Sequence, residues 1–357
     1  MTAHSLQSLL TFEEFSQRFL HELVKRDGDN YDREYLTSCL KYSKKLIDNK
    51  LPVIFSRKHL CALTGYTSKF IESAVGSPHL FYRQFSVPKK SSGMRLISEP
   101  LPSLKDLQRW IYKNLLLKIP VSVAAKAFVP GRKLRDGARF HVGQKFVIRV
   151  DISDFFPSIT RNRVFGLFRS MGYSSKVSSD LSRLCCVDDC LPQGGVCSAY
   201  ISNMILRSTD ARLLMYARSN SLRYTRYADD FTISGNFFSP TILDYLVSVI
   251  NSEGFDVNHK KTAVMRTSTR QMAVGHVVNS RVNAPRVYRR SLRQAAYYIE
   301  KFGLDNHLAH LGETRSAARD YYLGKASFAL SANPLDRNAL ELREVLLGER
   351  GGLIIQA

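Results

Sequence analysis

Two adjacent aspartates, Asp229 and Asp230, interrupt what are otherwise two short β-prone runs, 222–227 and 231–234. Neighbouring carboxylates repel one another, and a tight bend among apolar strands worsens the repulsion. The arrangement becomes tolerable when divalent cations share the charge. A third aspartate, Asp151, ends a run rich in β-branched residues at 145–152 (KFVIRVDI). A fold that brings this strand end to the hairpin tip gathers three hard oxygen donors, the ligand type suited to Mg²⁺. Two such ions about 3.5–4 Å apart serve nucleotidyl transfer. An Asp-Asp turn alone is common on solvated hairpins, so the reading depends on what surrounds it.

Charge narrows the partner. The chain of 357 residues carries 52 Lys and Arg against 31 Asp and Glu, a formal net charge of +21. Self-repulsion of that size favours a polyanionic partner, with nucleic acid first. No apolar stretch of about twenty residues is present, so no membrane span is expected. The start carries Glu13 and Glu14 and lacks a basic run followed by an apolar core. It does not read as a secretory signal, and a cytoplasmic protein is expected. The six cysteines then read as reduced thiols. Cys186, Cys190 and Cys197 lie close in sequence, but no C-x-x-C pair or neighbouring histidine completes a set, so zinc is not expected there.

The element pattern is that of an α+β chain with helical pieces at both ends. Residues 1–75 read as helical, with Phe12, Phe15, Phe19 and Leu23, then Leu36, Leu40 and Ile47, at helical spacing. Residues 81–99 alternate and read as a hairpin closed over 88–93, and 103–119 as an amphipathic helix stopped by Pro120. Ser174 to Cys185 reads as a short helix and 194–219 as one long helix. Ser239-Pro240 opens another that ends near Gly254. Short strands are expected at 262–266 and 271–279, and helix again from about Arg289.

Three motifs follow in order: Asp151-Ile152-Ser153-Asp154-Phe155-Phe156-Pro157-Ser158-Ile159, then Leu191-Pro192-Gln193-Gly194-Gly195-Val196-Cys197-Ser198, then Tyr227-Ala228-Asp229-Asp230. Their order and separations resemble the palm of a reverse transcriptase. The likeness extends from Lys89-Lys90-Ser91-Ser92-Gly93-Met94-Arg95 through Gly254-Phe255 and Asn258 to Thr262, and on to 324–334, covering about residues 81–335. It lies with the retron reverse transcriptases. Those bacterial enzymes copy part of a structured noncoding RNA into single-stranded DNA (msDNA), starting from a 2′-hydroxyl of a guanosine in that RNA. Two retron motifs are present but altered. Gly137-Ala138-Arg139-Phe140-His141 has glycine where N-A-x-x-H has asparagine, and Ala273-Val274-Gly275 stands in place of V-T-G. The departures leave the polymerase reading untouched and bear on how RNA is recognised.

The resemblance implies a right-hand polymerase. A helical region at 1–75 would precede fingers and a palm with a small antiparallel sheet at 76–280, and a helical thumb at 281–357 would bind template and primer. Asp151, Asp229 and Asp230 would be catalytic, holding two Mg²⁺ ions with help from the carbonyl of Ile152. Lys90 and Arg95 would grip the triphosphate. Phe156 would lie beneath C2′ of the incoming sugar and reject ribose, and Gln193 would touch the incoming nucleotide. Tyr227 would pack near the primer terminus and Lys261 would contact nucleic acid. Arg286, Arg289, Arg290 and Arg293 would hold phosphates. His141 is expected to be structural or RNA-contacting rather than a base. Implied partners are the cognate noncoding RNA, its RNA–DNA hybrid product, dNTPs and an effector protein, in defence against phage. Competing readings are another bacterial reverse transcriptase, of the abortive-infection or diversity-generating type, and a non-catalytic RNA-binding scaffold for an effector.

Overall fold

The computed structural model describes residues 11–27, 32–89 and 93–348. Lys90 lies outside them. The backbone divides into two compact units, residues 1–122 with 153–208, and residues 123–152 with 209–357. Among the described residues no helix is long and apolar enough to cross a membrane.

In the first unit the helical spacing of the N-terminal region is realised as helices Phe12–Asp27, Arg33–Asp48, Arg57–Thr64 and Ser68–Gly76. Asp32, Ser56 and Thr67 cap three of them by accepting backbone N–H groups of the first turn. Strands β1 (Tyr82–Pro88) and β2 (Met94–Pro100) form the expected antiparallel hairpin, with Val87 opposite Arg95. Helix Pro102–Asn114 buries Leu104, Leu107 and Ile111. It ends earlier than the apolar pattern suggests, and a tight 3₁₀ turn at Leu116–Lys118 leads to Pro120. The long helix expected at 194–219 is two helices, Ser198–Ile205 and Arg207–Ser219. Gly194 at φ +120° keeps the chain out of helical geometry before Ser198. The fully buried Leu206, at ψ 8°, interrupts it afterwards.

The second unit is built on a four-stranded antiparallel sheet in the order β4-β5-β3-β6. The strands are β3 (Phe146–Asp151), β4 (Arg223–Tyr227), β5 (Asp230–Gly235) and β6 (Ala263–Arg266). β3 is central, so Val147, Ile148 and Val150 are all fully buried, which explains why its sequence is a continuous apolar run. The strand expected over 271–279 shrinks to β7 (Met272–Ala273) and β8 (His276–Val277). Val274 and Gly275 both adopt positive φ, 51° and 74°, and turn the chain between them. Helices Arg286–Phe302, Leu304–Leu311, Ala318–Ala332 and Arg337–Leu347 follow. Leu292, Ala296, Ala326, Ala329, Ala339 and Leu342 form their common core.

Candidate active site

The register of the sheet brings the predicted acids together. Asp151, at the end of β3, pairs with Asp230, at the start of β5. Directly opposed residues of an antiparallel pair share a face, with Cβ atoms about 4.5–5.5 Å apart. Asp230 also pairs with Tyr227 of β4, so Ala228 and Asp229 form a two-residue loop between them. Ala228 takes φ +56°, a region that costs a residue with a Cβ roughly 1–2 kcal/mol. Backbone bonds fix both pieces. The Ile152 N–H donates to the Asp229 carbonyl at 3.2 Å, and the Asn258 N–H donates to the Asp151 carbonyl at 2.7 Å. Ile152 is itself buried and bridges to Val257.

Like charges directly opposed are destabilising unless something offsets them. Burial, helped by the Asp151 and Asp229 charges, pushes the Asp230 carboxyl up to about 7 against the pull of Arg149. Asp230 Oδ2 lies 3.7 Å from Arg149 Nε, while Oδ1 is buried without a hydrogen-bond donor. Leaving such an acceptor unsatisfied costs about 1–3 kcal/mol. The Lys261 ammonium lies 2.9 Å from Asp151 Oδ2. These features fit a divalent cation: hard oxygens, one of them orphaned, and a protein cation already drawn to the same group. Among the described residues no group of three or more His, Cys, Asp or Glu side chains is placed to hold a metal ion by itself. An open site is what Mg²⁺ uses, since it takes one or two carboxylates and completes its shell with water and phosphate.

The other expected site residues divide between the units. In the first, Arg95 stands exposed on β2 of the finger hairpin. Phe155 is buried and Phe156 half-buried, their ring centroids 5.2 Å apart, so Phe155 supplies the inward-facing ring. The Gln193 carbonyl accepts the Ser98 N–H of β2 at 2.8 Å. A Cβ on Gly194 would come within 2.8 Å of the Ser98 carbonyl oxygen, so the glycine is needed for approach to the hairpin itself. In the second unit, Tyr227 is half-buried with its ring 6.5 Å from Phe128, and burial raises its hydroxyl pKa. Arg286, Arg290 and Arg293 are exposed on helix Arg286–Phe302, at spacings that share one face. Arg289 is different, because its guanidinium is ion-paired to the buried Asp336.

The altered retron motifs lie in the interior of the second unit. Gly137, Ala273 and Val274 are buried, and so is His141. His141 Nδ1 meets Ser234 Oγ at 2.7 Å and Nε2 meets Thr225 Oγ1 at 2.8 Å, tying together β5 and β4. Burial, with Arg223 and Lys126 adding to it, holds the imidazole pKa down at about 3. The histidine is a structural cross-brace.

Sequence reasoning missed Gln108. It is fully buried, and its Nε2 donates to the Tyr82 hydroxyl at 2.7 Å and to the Leu184 carbonyl at 2.8 Å. Its Oε1 accepts the Val196 N–H at 3.0 Å. One side chain thus joins the hairpin, helix Ser175–Cys185 and the glycine turn that carries Gln193. The signal was available: Gln108 falls at i+4 from Leu104, inside the apolar stripe.

Comparisons with known proteins identify the family. The family model described as reverse transcriptase (RNA-dependent DNA polymerase) matches residues 87–281. The retron Ec86 reverse transcriptase of Escherichia coli is 34% identical over 254 residues, 70% of this chain and 79% of its own length. The retron Mx65 reverse transcriptase of Myxococcus xanthus is 36% identical over 253 residues, 64% of this chain and 59% of its own length. The retron Mx162 reverse transcriptase of the same organism is 34% identical over 256 residues, 62% of this chain and 53% of its own length. Among solved structures, telomerase from Candida albicans in complex with a TWJ fragment of telomeric RNA overlaps 74% of this chain and 62% of its own. That overlap has 12% identity and a TM-score of 0.42, a level on which no argument rests.

Proposed function

The chain belongs to the reverse transcriptase family as a retron-type member, and from that premise we propose that it copies part of a structured noncoding RNA into single-stranded DNA. The observation that carries the reading is the pairing of Asp151 with Asp230, with Asp229 in the adjoining loop. Synthesis would start from a 2′-hydroxyl of the RNA and continue from the 3′-hydroxyl of the growing DNA. The hydroxyl attacks the α-phosphorus of a dNTP, a new P–O bond forms, the bond to the β-phosphate breaks, and pyrophosphate leaves while the hydroxyl proton passes to solvent. Two bound Mg²⁺ ions would acidify the hydroxyl and screen the charge on the departing pyrophosphate.

The chain's own groups prepare that step. Asp151, Asp229, Asp230 and the Ile152 carbonyl are the proposed ion ligands. The Lys261 ammonium, drawn to Asp151, would also face nucleic acid. Arg95 and Lys90 would receive the triphosphate, Phe156 would stand against a ribose 2′-hydroxyl, and Gln193 would orient the incoming nucleotide. Arg286, Arg290 and Arg293 would hold template and primer phosphates through the thumb. The product would be msDNA, kept as an RNA–DNA hybrid on the protein in the cytoplasm, with an effector protein in anti-phage defence.

The test is to purify the protein with its bound nucleic acid and treat it separately with RNase and DNase. A branched RNA–DNA species joined through a 2′ linkage is the expected result. An RNA with no attached DNA points instead to a scaffold.

A further inference from the structure

Arg226 is charged, fully buried and three residues before Asp229. A guanidinium in such a place is tolerated only with its hydrogen bonds satisfied. Its Nε and Nη2 donate to Oδ1 and Oδ2 of Asp210 at 2.8 and 2.7 Å, and both side chains are wholly shielded from solvent. The Tyr224 hydroxyl donates to the same Oδ1 at 2.7 Å. Nη1 turns the other way and donates to the carbonyl of Ala228 at 2.9 Å. Ala228 is the residue held at φ +56° in the loop that carries Asp229. The main chain of Arg226 is pinned as well. Its N–H donates to the Ala124 carbonyl at 2.9 Å, and its own carbonyl accepts the Lys126 N–H at 2.7 Å.

We propose that Asp210 and Arg226 act together as a positioning device, clamping the Ala228 carbonyl so that the strained loop presents Asp229 and Asp230 in one fixed place. A pair serving only to attach helix Arg207–Ser219 to the sheet would be complete with the two bonds to Asp210. The bond from Nη1 to the Ala228 carbonyl extends the rigid helix to the loop. The planar guanidinium can make a bidentate contact on one edge and reach a carbonyl from another, which an ammonium cannot do. Arg226 reaches the reaction through Ala228 and is therefore a positioning residue. The inference rests on the polymerase reading of the carboxylates.

Two variants test it. Arg226→Lys keeps a charge beside Asp210 but loses the fork. The double variant Arg226→Gln/Asp210→Asn removes both charges, so neither is left buried alone. Circular dichroism and thermal melting report folding. Mn²⁺ binding followed by electron paramagnetic resonance, without nucleotide, reports the carboxylates directly. Steady-state synthesis on an RNA template separates kcat from KM for dNTP. The expected result is a folded protein with RNA affinity and KM within about twofold of wild type, Mn²⁺ affinity lowered about fivefold or more, and kcat lowered about tenfold or more. A folded variant with wild-type Mn²⁺ affinity and kcat overturns the proposal. So does failure of both variants to fold, since the pair would then hold the unit together rather than the loop. If the wild-type protein makes no DNA while Mn²⁺ binding still weakens in the variants, the clamp is supported and the polymerase reading fails.

Discussion

Gly137 packs against Val274: a Cβ placed on Gly137 would come within 3.0 Å of Val274 Cγ2. These are two of the three positions at which the chain departs from the retron motifs, Ala273 being the third, and they meet in the core. A side chain lost at Gly137 is matched by an apolar one at Val274, so these two departures form a single packing change. Gly137→Asn alone should overpack the site and cost about 1–3 kcal/mol. Val274→Thr alone should bury a hydroxyl and cost about 1–2 kcal/mol. The double variant should lose at least about 0.5 kcal/mol less than the sum, measured by urea unfolding. Strict additivity would show that the contact carries no coupling.

His141 predicts an acid-side loss of stability. Its native pKa, near 3, lies below the ordinary value of 6.5. Between those values the unfolded chain binds a proton that the native protein does not, so stability falls as pH drops below about 6.5. By pH 5 this group alone should remove about 2 kcal/mol. Urea unfolding at pH 7 and pH 5 measures the loss. His141→Asn, which does not titrate, should reduce the pH dependence by that amount.

Asp230 gives an acid-side sensitivity of ion binding rather than of stability. With its carboxyl near 7, a proton must leave before the group can bind a cation. Apparent Mn²⁺ affinity should therefore fall as pH drops below about 7, by roughly tenfold per unit. In Asp230→Asn that slope should flatten. A slope that survives the substitution would assign the proton to another group.

The arginines of helix Arg286–Phe302 should separate into two classes. Arg290→Ala or Arg293→Ala should lower RNA affinity and reduce the slope of log affinity against log salt by about 1 each. Arg289→Ala should leave that slope nearly unchanged and destabilise the fold by about 1–3 kcal/mol, because it strands the buried Asp336 carboxylate. Filter binding across a salt series, paired with thermal melting, distinguishes them.

Much of this arrangement was legible in the sequence because local chemistry announced it. The β-branched run of β3 marked a strand, and the alternation of β1 and β2 marked a hairpin. Asp229 and Asp230 between two β-prone runs marked the loop. What could not be read were partnerships made by tertiary packing. Nothing around Asp210 shows that it will face Arg226 across a helix–sheet contact. Arg289 looks like its neighbours until helix Arg337–Leu347 and its cap Asp336 are in place. The contact between Gly137 and Val274 is of the same kind, made by folding between two motifs far apart in the sequence. The break at Leu206 likewise follows from burial that no local propensity reveals.

The central claim is that Asp151, Asp229 and Asp230 form one cation-binding set that drives DNA synthesis on RNA. The most direct measurement is incorporation of labelled dNTPs on the copurified RNA, with and without Mg²⁺, by wild type and by Asp151→Asn, Asp229→Asn and Asp230→Asn. The account predicts synthesis only with the ion, and a loss of about a thousandfold or more in the Asp151 and Asp229 variants with RNA binding retained. Wild-type rates in either of those variants would contradict it.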